Sequence, residues 1–113
     1  MHWIHLTEED QIQNIIIRSQ EKPQVIFKYS NLCSLSEVIF RRLQKDCCPE
    51  AIDFYFLDLL AFRGISDKIT DVFHVHHQSP QILLIRDGEC IFEESHSEIS
   101  LEEIMEHLAE TIS

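Results

Sequence analysis

Cys33 and Ser36 stand one helical turn apart, in the run Cys33-Ser34-Leu35-Ser36, where their spacing suggests thiol chemistry. The segment before them, Val25-Ile26-Phe27, is short and continuously apolar, as expected of a strand covered on both faces. Ser30-Asn31-Leu32 reads as a turn. A helix is predicted from Cys33 to Lys45, with Val38, Ile39 and Leu43 apolar and Pro49 just past its end. A cysteine at such a junction meets unpaired N–H groups and the positive end of the helix dipole. Its thiol should ionise below the free-cysteine value of about 8.5, and the thiolate is the reactive form. The Ser36 hydroxyl, one turn in, could donate to the sulfur. The plainer reading of Cys33 is a small buried filler, as most free cysteines are.

A second element is Ser79-Pro80, directly before the apolar strand Gln81 to Ile85. A proline entering a buried sheet lacks a donor, and a cis bond at a tight turn would accommodate it; a trans proline at a strand's first residue is the alternative. His77 lies three residues before Pro80 and could shuttle a proton, or simply be hydrogen-bonded in the loop. Arg63 and Lys28 are basic in an acidic chain and could hold substrate carboxylates. Asp58 could orient Arg63. Surface ion pairing is the commoner fate of all three.

The other three cysteines are Cys47, Cys48 and Cys90. No pair has Cys-x-x-Cys spacing, which leaves out a zinc ribbon or a dithiol motif. Cys47 and Cys48 lie about 20 Å along the helix from Cys33 and read as structural or incidental. Cys90 alternates with Glu89 and Ile91 on a strand and should be packed. His74, His76 and His77, with His2 and His5, invite a metal reading. His76 and His77 point oppositely if extended, and no ligand spacing is completed, so no metal site is expected.

The elements that must position these residues follow from periodicity. Thr7 to Arg18 reads as a helix capped by Thr7, with Ile12, Ile15, Ile16 and Ile17 at helical spacing. Phe54-Tyr55-Phe56-Leu57 reads as a strand, and Gly64 to Phe73 as a helix with Ser66 as cap. Ile82 to Ile85 and Glu89 to Glu93 form a hairpin about Asp87-Gly88, a type I′ turn signal. Ser100 to Ile112 is a terminal helix with a Ser100/Glu103 capping box and a stripe of Leu101, Ile104, Met105, Leu108 and Ile112. Strand-helix-strand units followed by a hairpin and a helix imply an α/β fold, a central mixed sheet flanked by helices. Trp3 should pack at the start of the domain.

The 113 residues suit one domain, 1–113. Nine basic and twenty acidic side chains give a net charge of −11, which disfavours nucleic acid and anionic membranes as partners. The acidic stretch from Glu89 to Glu110 reads as a solvated face. No run approaches the roughly 18 apolar residues of a membrane helix, and Met1 to Asp10 has no signal-peptide pattern. A cytoplasmic location is the default expectation.

Five blocks carry a closer resemblance: Cys33-Ser34-Leu35-Ser36, Leu57-Asp58-Leu59-Leu60-Ala61-Phe62-Arg63, His77-Gln78-Ser79-Pro80-Gln81, Asp87-Gly88 and Ser95-His96. In order and spacing they resemble the YtxJ family, monothiol bacilliredoxins of the bacillithiol system, over nearly the whole chain. The resemblance implies a thioredoxin-like fold and activity on mixed disulfides between protein cysteines and bacillithiol. Bacillithiol would be the substrate thiol, with no bound cofactor, and S-bacillithiolated proteins the partners. Cys33 would attack, Ser36 would replace a resolving cysteine, and Pro80 would be the cis proline, with Ser79, His77 and Arg63 lining the substrate side. The family often has proline where this chain has Ser34. Two alternatives stand beside this reading. One is a redox-inactive adaptor that binds an extended peptide beside Pro80. The other is a glutathione-using monothiol glutaredoxin, whose Cys-Gly-Phe-Ser signature is absent here.

Overall fold

The structure, a computed structural model, describes residues 2–46 and 50–112. Its elements in chain order are β1 (Trp3–His5), α1 (Asp10–Arg18), β2 (Gln24–Tyr29), α2 (Ser34–Gln44), β3 (Asp53–Asp58), α3 (Arg63–Phe73), β4 (Gln81–Arg86), β5 (Glu89–Ser95) and α4 (Leu101–Ile112). The strands form one sheet in the order β1-β3-β2-β4-β5. β1, β3 and β2 run parallel, whereas β4 and β5 are antiparallel to their neighbours. Every described residue of β2 and β4 before the last is buried, which explains why both read as unbroken apolar runs. β1 was not foreseen, because three residues are too few to show alternation.

The sheet divides the core into two layers. On one face α1 and α3 supply Ile12, Ile15, Ile65, Ile69 and Phe73 against Ile26, Leu57, Leu83 and Ile85. On the other, α2 and α4 supply Ile39, Leu43, Ile104 and Leu108 against Val25, Phe27, Phe54, Ile82 and Leu84. Each fully buried side chain of this kind contributes about 1.5–3 kcal/mol. Trp3 lies with the second layer, its ring centroid 6.0 Å from that of Phe40 and 5.8 Å from that of Phe27.

Several local expectations need correcting. The first helix begins at Asp10, with Glu9 rather than Thr7 at the N-cap. The Gln11 side chain serves the entry instead, accepting from the N–H groups of Thr7 and Glu8 at 2.8 and 2.9 Å. Its longer reach satisfies two donors from inside the helix. Ser66 is not a cap: α3 starts at Arg63 after Phe62, and Ser66 is buried against the sheet. Ile17, Val38 and Met105 are largely exposed, at the edges of their apolar stripes. Cys47, Cys48 and Pro49 lie outside the described residues.

The hairpin turn is as predicted, with φ of 52° at Asp87 and 79° at Gly88, both in the region a type I′ turn needs. It is tied to the end of α1. Ser19 O accepts from Asp87 N at 2.9 Å, and Ser19 Oγ accepts from Gly88 N at 2.8 Å. Ser100 caps α4, its Oγ accepting from Glu103 N at 3.2 Å. Among the described residues no helix is long and apolar enough to cross a membrane.

Candidate active site

The site gathers where β2 and β3 end and β4 begins. Strand register defines it: Tyr29 pairs with Asp58, and Lys28 with Gln81, the residue after Pro80. The chain then turns through Ser30, whose carbonyl accepts from Cys33 N at 3.1 Å, and enters α2. Cys33 is the N-cap, with extended φ and ψ of −107° and 112°. The helix proper begins one residue later than the sequence suggested, so the thiol lies at the mouth of the helix.

Cys33 is half-buried and carries no disulfide. Its side chain makes no capping hydrogen bond. The environment still lowers its pKa. The Ser36 N–H contributes most, burial opposes it, and the Ser36 hydroxyl and Leu35 N–H add to the lowering. These are the helix-terminal donors that favour an anion. Ser36 is fully buried, and its Oγ also accepts from Ser30 N at 3.4 Å, so it braces the turn that carries Cys33. Cys90 is the contrast: partly buried against the first core layer, it has its pKa pushed up to about 11 chiefly by burial. It packs as a small apolar residue would.

The first turn of α2 is braced from the side. Tyr29 Oη donates to Glu37 Oε2 at 2.6 Å, and Glu37 pairs with Arg41 at 3.0 Å. Leu32, just before Cys33, is 82% exposed, and Leu60 in the turn after β3 is also exposed, giving the site an apolar rim.

The Ser79–Pro80 bond is cis. Ser79 Oγ is buried without a hydrogen-bond partner among the described residues. His77 is exposed in the loop before it, and its pKa is lowered by partial burial and by the charges of Lys28 and Arg63, against Asp67. The shift favours the neutral imidazole, the form that can accept a proton. Arg63 is the exposed first residue of α3. Asp58 does not orient it: the carboxylate closes its own turn, accepting from Leu60 N at 3.1 Å and Ala61 N at 3.3 Å.

Lys28 departs most from expectation. The sequence offers it as a holder of substrate carboxylates or a surface ion pair, yet it is fully buried and bonded to α3. Its Nζ donates to Thr70 Oγ1 at 3.3 Å, and no described carboxylate comes within ion-pair distance of it. Burial pushes its pKa down to about 8, against the charge of Asp67. Ser66 and Gln81 share this layer, and Ser66 Oγ and Gln81 Oε1 are buried without partners. The sequence carried a signal for this polar layer. Ser66 and Thr70 fall at i and i+4 beside the buried Ile65 and Ile69, and Lys28 interrupts a strand apolar on both faces.

Comparison with known proteins agrees with this architecture. A solved protein with a thioredoxin fold superposes with a TM-score of 0.80 at 26% identity, covering 93% of this chain and 92% of its own. The thioredoxins of Trypanosoma brucei brucei and Malassezia sympodialis superpose with TM-scores of 0.68 and 0.69. Their identities are 17% and 12%; the first covers 98% of this chain and 91% of its own, the second 100% and 98%. The family model of the monothiol bacilliredoxin BrxC matches residues 4–104. With a thioredoxin-type sheet and a half-buried thiol at the mouth of α2, the chain belongs to the monothiol bacilliredoxin family and has a thiol redox role.

Proposed function

We propose that the protein removes bacillithiol, or a similar small thiol, from mixed disulfides with protein cysteines. The observation that carries this reading is the N-cap position of Cys33 with Ser36 one turn in, where a dithiol enzyme would place its resolving cysteine. The Cys33 thiolate attacks the small-thiol sulfur of the mixed disulfide. That S–S bond breaks, the protein sulfur leaves with the electron pair and takes a proton, and Cys33 now carries the small thiol. No electrons are gained or lost overall. A second thiol, attacking the Cys33 sulfur, frees the enzyme. In this reading the small thiol lies between Pro80 and the start of α3, against Ser79, His77 and Arg63. The apolar rim at Leu32 and Leu60 meets the protein substrate. The reaction belongs to the cytoplasm, where reducing thiols supply the recycling step.

Intact-mass measurement over time after adding a bacillithiol mixed disulfide tests this. The unmodified protein should gain one small-thiol adduct and keep it until external thiol is added. Cys33→Ser should gain none. Ser36→Cys should lose the adduct rapidly by forming a 33–36 disulfide, since residues three apart in a helical turn are neighbours. A protein that never forms the adduct would point to the peptide-binding adaptor, and one that prefers oxidised glutathione to the glutaredoxin-like alternative.

A further inference from the structure

Among the described residues Lys28 is the only fully buried charged side chain. An ammonium in such a place is expensive unless paired and hydrogen-bonded. Here it has one hydrogen bond, to Thr70, and no ion pair with a described carboxylate. A methionine of similar length would fill the same space without that penalty, so packing does not account for a lysine. Its location does suggest a role. Lys28 lies opposite Gln81, which follows Pro80, and five residues before Cys33. The start of α3 closes this corner, with Arg63 and Gly64 exposed and open space above Gly64.

The groups around the ammonium come from each neighbouring element. Asp67 and Thr70 belong to α3, His77 to the loop before β4, and Gln81 to β4, its Nε2 donating to His76 O and to Glu93 Oε2 of β5, each at 2.9 Å. Asp67 is exposed and bears on Lys28 from beyond ion-pair distance. Two buried polar atoms of the layer, Ser66 Oγ and Gln81 Oε1, have no partner among the described residues. This corner therefore holds a cation that no described carboxylate meets as an ion pair, with Asp67 acting on it only from a distance, in a chain of net charge −11. Its field is screened less than that of a surface lysine.

We propose that Lys28 makes Cys33 selective for small thiols and disulfides that carry a carboxylate, held over the first turn of α3. The inference rests on the reading that a small thiol occupies the groove beside Pro80. Lys28 is a positioning residue in this scheme: it acts through space on the anion and does not touch it. Arg63, at the exposed end of the same turn, is the residue placed to contact the carboxylate. The exchange step itself is unchanged. Cys33 sulfur bonds to one sulfur of the disulfide, the S–S bond breaks, and the other half leaves as a thiolate.

The test compares two symmetrical disulfides, 3,3′-dithiodipropionate with two carboxylates and neutral bis(2-hydroxyethyl) disulfide. Adduct formation at Cys33 is followed by intact mass at pH 7 in low salt. The ratio of the anionic to the neutral rate should exceed that of free 2-mercaptoethanol, despite the net negative protein. Lys28→Met should lower the ratio by about 3–10-fold, as expected for loss of one nearby charge, and should raise the melting temperature. Lys28→Arg should keep the ratio near that of the unmodified protein. A Lys28→Met ratio within twofold of the unmodified one would overturn the proposal. So would a Lys28→Met protein that is less stable or does not fold, because the ammonium would then serve the structure.

The same ratio taken with iodoacetate and iodoacetamide, which require only a thiolate, separates this inference from the disulfide reading. A Lys28-dependent preference for iodoacetate, with no adduct from either disulfide, would sink the redox function and leave the anion selectivity standing. Adducts from both disulfides, with neither ratio dependent on Lys28, would do the reverse.

Discussion

Strand β2 carries a buried polar side chain near each end, Gln24 at the start and Lys28 just before the finish, and the two are treated differently. Gln24 has partners on every side. Its Nε2 donates to Asp53 Oδ2 at 2.9 Å and to the carbonyls of Lys22 and Pro23, and its Oε1 accepts from Tyr55 Oη at 2.9 Å. Asp53 in turn pairs with Arg18 at 2.9 Å and Lys22 at 3.0 Å. At the other end Lys28 has one long hydrogen bond, and Ser66, Ser79 and Gln81 each keep a buried polar atom without a partner. A fully satisfied buried network specifies a fold, whereas unsatisfied groups store a penalty that stability alone would remove. The first end reads as structure and the second as function, and it is the second that lies beside Cys33.

The largest expected effect is on stability at the satisfied end. Gln24→Ala should cost about 2–4 kcal/mol in urea unfolding, because it opens a cavity and strands the Tyr55 hydroxyl. A loss below about 1 kcal/mol would break the comparison, since that would put the satisfied end on the footing of an ordinary surface site. Next is the pH dependence at Lys28. Its folded pKa of about 8 lies below the ordinary value of 10.5, so between these values the unfolded chain binds more protons than the folded one. Stability from this group therefore rises with pH across that window, by an amount on the order of 3 kcal/mol. The raised Cys90 pKa acts oppositely, from about 9 to about 11, because the unfolded thiol ionises first. Subtracting the curve of Lys28→Met from that of the unmodified protein cancels Cys90. A flat difference curve between pH 8 and 10.5 would mean that Lys28 is not a buried cation at neutral pH.

Asp53 gives the mirror image at the other end. Burial raises its pKa, but hydrogen bonds from Gln24, Lys22 and Arg18 more than offset this, and the net value is lowered from 3.8. The stability it confers is present above that value and fades as pH falls through the folded one. Asp53→Asn should flatten this acid limb and leave the alkaline window of Lys28 unchanged. Thermal unfolding scanned over pH for the two variants would show whether the ends are independent, as their separation along the strand requires.

The sequence and the structure part company along this same line. The second core layer was legible, because Ile39, Leu43, Ile104 and Leu108 recur at helical spacing on α2 and α4. The Asp87-Gly88 turn was legible because few residue pairs tolerate positive φ twice. The placement of Cys33 and Ser36 at the start of α2 was legible because it is local, one turn of one helix. Lys28 was not, because its burial depends on α3, which lies more than thirty residues away and contributes Thr70 and Ser66 from its inner face. The role of Asp58 was not legible for a similar reason: nothing in its type distinguishes a carboxylate that closes its own turn from one that holds an arginine or pairs on the surface. Long-range partners decide the fate of a polar residue, and a single sequence reports them only through interruptions in an apolar pattern.

The smallest expected effect tests whether Ser36 belongs with the satisfied or the functional groups. It is fully buried at the functional end, yet it is bonded: its Oγ accepts from Ser30 N, and its hydroxyl proton is free to serve the Cys33 sulfur. Ser36→Ala removes that hydroxyl and keeps the Ser36 and Leu35 N–H groups, which include the largest contributor to the lowered Cys33 pKa. The thiol pKa should therefore rise only modestly. Iodoacetamide alkylation of Cys33 at pH 7 should slow by about 2–5-fold, while at pH 10, above the ordinary thiol value, the rates should converge. The stability cost should be about 1 kcal/mol, the low end of the penalty for stranding a buried donor, because the bond from Ser30 N is long at 3.4 Å. A variant whose rate falls equally at both pH values would show that Ser36 acts by holding the turn at Ser30 in place, not by favouring the thiolate. A variant with no change at either pH would leave the backbone donors of α2 to account for the whole activation of Cys33.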